Sequence, residues 1–464
     1  MYDLAIIGGG PGGYVAGIRG AQNNLKVLLI EKDNVGGTCL NRGCIPTKSL
    51  IYDSRLFHSA KTSTILNGAD SLAVNTAKLL ERKRKVVKTL VGGLGAILKT
   101  NKIEVVQGMG SLQAPGKVSV EKADGSKADY EAKNVILANG SKPSVPPFIK
   151  IDGKFVQTTD EALDTQEVPE NVIIIGGGVI GIEMATIYSN LGAQVTIVEL
   201  LDDVLTTEDP DVRKTMRSML KQRKVDVHLK AKAKEITVEK DKVKVVFEGA
   251  DGKVQERMTQ RVLVATGRAP VLDGVDVETL GLAMEGPFVK VNGQLQTNLP
   301  GVFAIGDLVG GMMLAHKASA EAEIAVDCIL GHKKSLKPEL VPRCIWGLAE
   351  IGAVGLNEDE AKASGRKIKV GKFPYSSSGA AQAMDEVEGF AKVIGDAEIG
   401  EILGVHIMGA HATDLVSEAV TAMKMEGAVE DLYEAIKPHP TVSETLLEAA
   451  LDWNKLAVHS PKRA

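Results

Sequence analysis

Leu4-Ala5-Ile6-Ile7-Gly8-Gly9-Gly10-Pro11-Gly12-Gly13 decides the fold: a short apolar strand runs straight into a glycine turn. A helix-like stretch to Asn23 follows, then the strand Lys26 to Glu31, which ends in a carboxylate. The same device returns 168 residues later. Val172 to Ile175 leads into Gly176-Gly177-Gly178-Val179-Ile180-Gly181, an amphipathic helix is predicted to Leu191, and the strand Gln194 to Val198 closes on Glu199. In both copies the first glycine stands 23 residues before the acid. Two βαβ units are implied.

The spacing has a chemical reason. The first glycine (Gly8, Gly176) permits the tight turn, and the second (Gly10, Gly178) lets a pyrophosphate approach the backbone. The third (Gly13, Gly181) allows close packing of helix on strand. The helix N-terminus then faces the phosphates, and the terminal carboxylates Glu31 and Glu199 are positioned to accept ribose hydroxyls. Two such units predict two dinucleotides that exchange electrons. One should be a tightly held flavin, because hydride transfer between two nicotinamides accomplishes little.

Working outward, each half closes with an apolar strand and a small turn, Val135 to Gly140 and Val262 to Arg268. Three prolines between Pro143 and Pro147 mark a first linker, and a second crossing falls near Pro270. Val302 to Asp307 reads as a strand ending in a Gly-Asp turn. The length of 464 residues exceeds what one hydrophobic core supports. The charge balance, 55 basic against 59 acidic residues, predicts no nucleic-acid surface. The cluster Arg82 to Lys85 sits in a helical pattern from Leu79 to Lys99 and reads as a solvated helix face. No apolar run reaches the ~20 residues of a membrane span, and no basic segment precedes the first strand. A cytoplasmic protein is expected. Four cysteines are too few for a secreted disulfide scaffold.

After Glu31 comes Val35-Gly36-Gly37-Thr38-Cys39-Leu40-Asn41-Arg42-Gly43-Cys44-Ile45-Pro46-Thr47-Lys48, with a helix predicted from about Thr47. Zinc knuckles use shorter spacings and a second ligand pair, and a structural disulfide does not suit a cytosolic chain. A redox-active pair is the remaining reading, its thiolate stabilised by a helix N-terminus and a nearby flavin or base. Cys328 and Cys344 lack such a setting and read as buried small hydrophobes. In Lys437-Pro438-His439-Pro440-Thr441-Val442-Ser443-Glu444 a histidine is fixed between prolines, and Glu444 is spaced to orient it. Alone, that segment reads rather as a surface turn and a capped helix; with a thiol to deprotonate elsewhere in the protein, the general-base reading overtakes it.

Together these segments, with Ala304-Ile305-Gly306-Asp307 and Leu314-Ala315-His316-Lys317-Ala318, make the whole chain resemble the pyridine nucleotide-disulfide oxidoreductases. Within them it is most similar to the dihydrolipoamide dehydrogenase branch. The resemblance implies an α/β fold of two Rossmann-like dinucleotide-binding domains plus a C-terminal α+β dimerisation domain. Residues 1–145 and 271–340 would form the FAD-binding part, 146–270 the NAD-binding domain and 341–464 the interface domain. It implies a homodimer in which His439 serves the Cys39–Cys44 pair of the other subunit. Cys39 would be the interchange thiol, Cys44 the flavin-facing thiol and Asp307 a ribitol contact, with Lys48 and Glu183 an ion pair near the flavin. Thr38, Gly110, Gly140, Ala315 and Gly267 are implied as further cofactor contacts.

Three departures from the family pattern stand out. Asn139 occupies a usual threonine, Ala322 a usual glycine, and Trp346-Gly347-Leu348-Ala349-Glu350 a usual Tyr-Thr-x-Pro-Glu. Glu199 favours NAD over a 2′-phosphorylated nucleotide, and the absence of a C-terminal cysteine pair argues against a mercuric reductase. The expected activity is oxidation of a protein-bound dihydrolipoyl group with reduction of NAD⁺. A glutathione-like disulfide reductase and a docking subunit of a larger assembly are the alternatives.

Overall fold

The computed structural model describes residues 1–460 and divides into two units. The first comprises Met1–Pro146, Gln157–Glu167 and Thr266–Leu336; the second comprises Pro147–Val156, Val168–Ala265 and the chain from Lys337 onward.

In the first unit β1 (Tyr2–Ile7) pairs in parallel with β2 (Val27–Glu31) on one side and with the strand Lys127–Leu137 on the other. Glu104–Gln107 lies outside β2, and Val302–Ala304 adds in parallel to Lys127–Leu137. Leu4 and Ile6 face the core beneath α1 (Pro11–Gln22), while Ala5 and Ile7 face the core under the meander Met109–Glu121. Both faces are covered, which is why β1 reads as an unbroken apolar run rather than an alternating one. Strand order reverses at β1, so the crevice beyond its C-terminal end is where an open α/β sheet binds ligands.

The chain after β2 forms α2 (Gly37–Arg42), α3 (Cys44–Thr62) and α4 (Thr76–Thr100). α3 begins three residues earlier than the sequence pattern predicts, because Pro46 and Thr47 fit a first helical turn and Thr47 Oγ1 caps Gly43 O at 2.7 Å. The basic cluster on α4 is not uniformly solvated: Lys83 is buried, donating to Leu163 O at 2.8 Å and Asp164 Oδ1 at 2.6 Å. Cys328 and Cys344 are half-buried, each sulfur 3.8 Å from a backbone carbonyl, rather than sealed in a core.

In the second unit Asn171–Ile175 lies between Gln194–Val198 and Arg261–Val264, all parallel, repeating the reversal. The helix Val179–Asn190 is buried on nearly every side, not amphipathic. Its outer face is covered by the strand Arg343–Trp346, with Ile182 close against Gly347. A five-stranded antiparallel sheet follows, in the order Arg343–Trp346, Glu350–Gly355, Ile402–Met408, Phe390–Asp396, Ile368–Pro374. Ala391, Val393, Val405 and Ile407 pack under the helices Ala412–Lys424 and Glu444–Trp453.

The other face of this sheet carries a cross-strand pair, Lys392 opposite His406, and both are fully buried. Lys392 Nζ reaches Asp209 Oδ1 at 2.9 Å, Asp211 Oδ2 at 3.0 Å and Glu358 Oε2 at 2.6 Å. Three carboxylates around one buried ammonium are what such a charge needs to stay ionised away from water. Among the described residues no helix is long and apolar enough to cross a membrane.

Candidate active site

The first glycine turn is shaped by close approach. A β-carbon on Gly13 would stand 1.8 Å from Gly8 O, and one on Gly8, at φ +105°, 2.2 Å from Ala138 O. Gly10 begins α1 with no side-chain cap and Pro11 behind it, so the first N–H groups of the helix face outward unclaimed by a side chain. Beside Gly10 the backbone is bare, the nearest atom to an added β-carbon being Gly37 Cα at 3.9 Å. This fits a pyrophosphate, which needs backbone donors without side chains in the way.

Glu31 Oε2 accepts the N–H of Gly9 at 2.7 Å and its Oε1 that of Asp33 at 2.8 Å. The carboxylate thus fixes the turn itself, and its remaining lone pairs are available to a ribose hydroxyl. Gly110 lies on the strand Met109–Ala114 of the meander, where a β-carbon would be 2.9 Å from Ile30 Cγ2.

Cys39 sits on α2 and Cys44 is the first residue of α3, with Gly43 between the helices. Both are free thiols in this structure and hydrogen-bond each other. That bond to Cys44, reinforced by burial, holds the Cys39 thiol well above its ordinary pKa, while the charge of Lys48 pulls it down. A thiolate on Cys44 benefits from the positive end of α3, a 19-residue helix. Lys48 is one turn further on. Thr38 precedes Cys39, and its carbonyl passes close to Gly43. Tyr14 on α1 faces the pair: burial raises its pKa, and the two cysteines add to the shift. Nothing in the sequence pattern singled Tyr14 out, since it reads as one more helix residue.

Beyond the strand Val302–Ala304, Asp307 lies on a short 3-10 turn and accepts a hydrogen bond from Ser141 Oγ. Arg268 donates to Ser141 Oγ at 2.6 Å and Ser141 O at 2.7 Å, and lies 3.9 Å from Asp307. Ser141 and Arg268 were missed from sequence, although a signal exists: each directly follows the glycine that closes its half, Gly140 and Gly267. Those glycines have φ of +72° and +111° with open space where a side chain would be. Asn139 donates to Asp273 O at 3.0 Å, and its Oδ1 is buried with no partner, an acceptor left for a donor from a bound group. Ala315 opens the helix Ala315–Ile329, again without a side-chain cap.

The second glycine turn repeats the first. A β-carbon on Gly181 would be 2.0 Å from Gly176 O, and Gly178 starts its helix uncapped, with open space on its side-chain face. Glu199 accepts the N–H groups of Gly177 and, at 2.7 Å, Leu201. Glu183 is buried one turn into the helix, where its Oε1 accepts the N–H of Trp346 at 3.1 Å.

Further along the chain His439 is exposed, its side chain 78% accessible, with Nδ1 2.9 Å from Glu444 Oε1. Burial raises the pKa of Glu444, but the Thr441 N–H at 2.9 Å and the imidazole more than offset it, so the carboxyl is held below its ordinary range. An ionised carboxylate only accepts. In the neutral ring Nδ1 therefore carries the proton, and Nε2 is left with the lone pair.

Profiles of known families match almost the whole of this chain. That of the pyridine nucleotide-disulphide oxidoreductases covers residues 2–322, and that of their dimerisation domain covers 341–450. The chain belongs to the pyridine nucleotide-disulphide oxidoreductases. It is 40% identical to a protein named dihydrolipoyl dehydrogenase from Bacillus subtilis, over 99% of each chain. It is 39% identical to mitochondrial dihydrolipoyl dehydrogenase 1 of Arabidopsis thaliana, over 98% of this chain and 91% of that one. Among solved structures, LpdA of Mycobacterium tuberculosis superposes with a TM-score of 0.90 at 26% identity, covering 96% of this chain and 98% of that one.

Proposed function

We propose that the protein oxidises a dihydrolipoyl dithiol carried on another protein to the cyclic disulfide and reduces NAD⁺, working as a homodimer. The observation that carries this reading is the Cys39–Cys44 pair: two mutually hydrogen-bonded sulfurs, the second at a helix N-terminus with Lys48 one turn away. With the pair oxidised, a substrate thiolate attacks Cys39 Sγ. A mixed disulfide forms and Cys44 leaves as thiolate, which the α3 terminus stabilises. The second substrate thiol, once deprotonated, attacks its own partner sulfur, closing the lipoyl ring and releasing Cys39.

His439 takes the substrate protons at Nε2, with Glu444 holding its tautomer. The ring's exposure supports its acting on the cysteine pair of the other subunit rather than inside its own core. A flavin held there would supply the two-electron transfer between the cysteine pair and NAD⁺, chemistry no side chain can perform. The first glycine turn, Asp307, Ala315, Gly110 and the Gly140 turn would hold the flavin; the second glycine turn, Glu199 and Gly267 would serve the nicotinamide nucleotide. The scarcity of cysteine supports a cytoplasmic setting, with a lipoylated carrier of a 2-oxoacid dehydrogenase or glycine-cleavage type as partner.

The test is NADH formation from free dihydrolipoamide and NAD⁺, beside glutathione disulfide with NADPH. Rapid NADH formation that Cys39→Ser abolishes supports the proposal. Turnover only of glutathione would move the protein to another branch of its family. Binding of lipoylated protein without turnover would make it a docking subunit.

A further inference from the structure

Lys317 stands in the first turn of the helix Ala315–Ile329, where a cation opposes the helix dipole, and it is buried with Glu321 one turn on. Neither helix formation nor packing calls for a charge there. The two side chains nevertheless meet at 2.6 Å, 9% and 3% exposed. Each also holds backbone. Glu321 Oε2 accepts the N–H of Gly306 at 2.7 Å, and Lys317 Nζ donates to Gly310 O at 3.1 Å.

Those two contacts fall at the two ends of the turn that carries Asp307, and both ends are glycines in the left-handed region, φ +73° and +76°. Such residues restrain themselves poorly. Asp307 in turn takes its bond from Ser141, which Arg268 holds. Burial raises the Glu321 carboxyl while Lys317 pulls it back, so the two charges depend on each other. Being paired, they add no net charge to the site. What they contribute is placement.

We infer that Lys317 and Glu321 are positioning residues for the flavin, a buried clamp that grips the Asp307 turn at both ends. The inference rests on the flavin reading of the first glycine turn and adds two residues that touch no cofactor themselves. Its consequence is that the clamp sets how tightly and in what orientation FAD is held, without taking part in electron transfer.

The experiment is FAD uptake by the deflavinated full-length protein, followed by quenching of flavin fluorescence, with visible circular dichroism of the bound flavin. Lys317→Met should weaken FAD by at least about tenfold and alter the dichroism. Lys317→Arg, which restores the cation, should recover most of both. Should Lys317→Met not fold, Glu321→Gln keeps the volume and an acceptor for Gly306 and should show a smaller loss with the same spectral change. FAD affinity and dichroism unchanged in either variant would overturn the clamp alone. An unsubstituted protein that takes up no FAD would overturn the flavin reading and the clamp together.

Discussion

The two glycine turns are built alike and lead to different things. Each has a third glycine jammed against the carbonyl of its first, an uncapped helix start, and a glutamate that accepts the N–H of the glycine directly after the first (Gly9, Gly177) and of a residue two positions beyond itself. After Glu31 the chain folds into two helices that bring two cysteines together. After Glu199 it folds back, Leu205 N–H donating to Gly177 O at 3.0 Å, and delivers Asp209 to the buried Lys392. The turn is thus a reusable holder for a nucleotide, and the following segment decides whether chemistry or scaffolding stands beside it.

The largest effect that breaks the parallel is on the cysteines, which have no counterpart after the second turn. Cys39→Ser or Cys44→Ser should lower dihydrolipoamide-dependent NADH formation, read at 340 nm, by at least about a thousandfold. Loss of the base, His439→Ala, should cost about a hundred- to ten-thousand-fold in the same assay. Oxidation of NADH, which needs no substrate thiol deprotonated, should survive that substitution.

Alanine at the third glycine should separate the turns. Gly13→Ala, forcing a contact of 1.8 Å, should purify without flavin. Gly181→Ala, at 2.0 Å, should retain flavin and lose NAD⁺ reduction. Absorbance at 450 nm and pyridine-nucleotide titration distinguish them.

The scaffold behind the second turn predicts an acid sensitivity. Lys392→Met would leave the buried carboxylate of Asp209 without its ammonium partner, at a cost of about 3–5 kcal/mol in denaturant unfolding. His406 donates from Nε2 to Leu356 O, leaving Nδ1 buried and unpartnered; burial depresses its pKa, so the folded unit keeps it neutral. The unfolded chain then binds the proton the folded chain refuses, and stability falls as pH drops below about 6.5. Asp209 works in the same sense at lower pH. Burial raises it, but the Lys392 ammonium and the N–H of Glu358 outweigh that and depress it, so its contribution is present above about pH 4 and lost as pH falls through its folded value. His406→Asn, which removes the titrating ring, should flatten the upper part of that decline in thermal melts between pH 7 and 5.

Much of this was legible in the sequence because it is local. Glycine spacing, the apolar strands and the closing acid of each unit lie in one short stretch, Leu4 to Glu31 and Val172 to Glu199, and the structure has those strands close to the predicted bounds; the strand read from Val135 begins earlier, at Lys127. What stayed hidden depends on distant segments. Lys83 reads as one of four surface cations, and only the fold brings Asp164 to it. The helix Val179–Asn190 reads as amphipathic until the strand Arg343–Trp346 covers its outer face. Lys392 and His406 look like ordinary strand polar residues, because nothing in a local pattern says that a sheet will be buried on both faces. The start of α3 was misplaced by a shorter-range effect: the helix begins at Cys44 rather than near Thr47, with Pro46 in its first turn.

The measurement that bears most directly on the central claim is an anaerobic titration of the flavin-loaded protein with dihydrolipoamide, followed by NAD⁺ and recorded from 300 to 700 nm. The account predicts that the dithiol perturbs the flavin spectrum at one equivalent per subunit and that added NAD⁺ restores it while NADH appears at 340 nm. A bound flavin that dihydrolipoamide leaves unchanged, while NADH alone reduces it, would contradict the account.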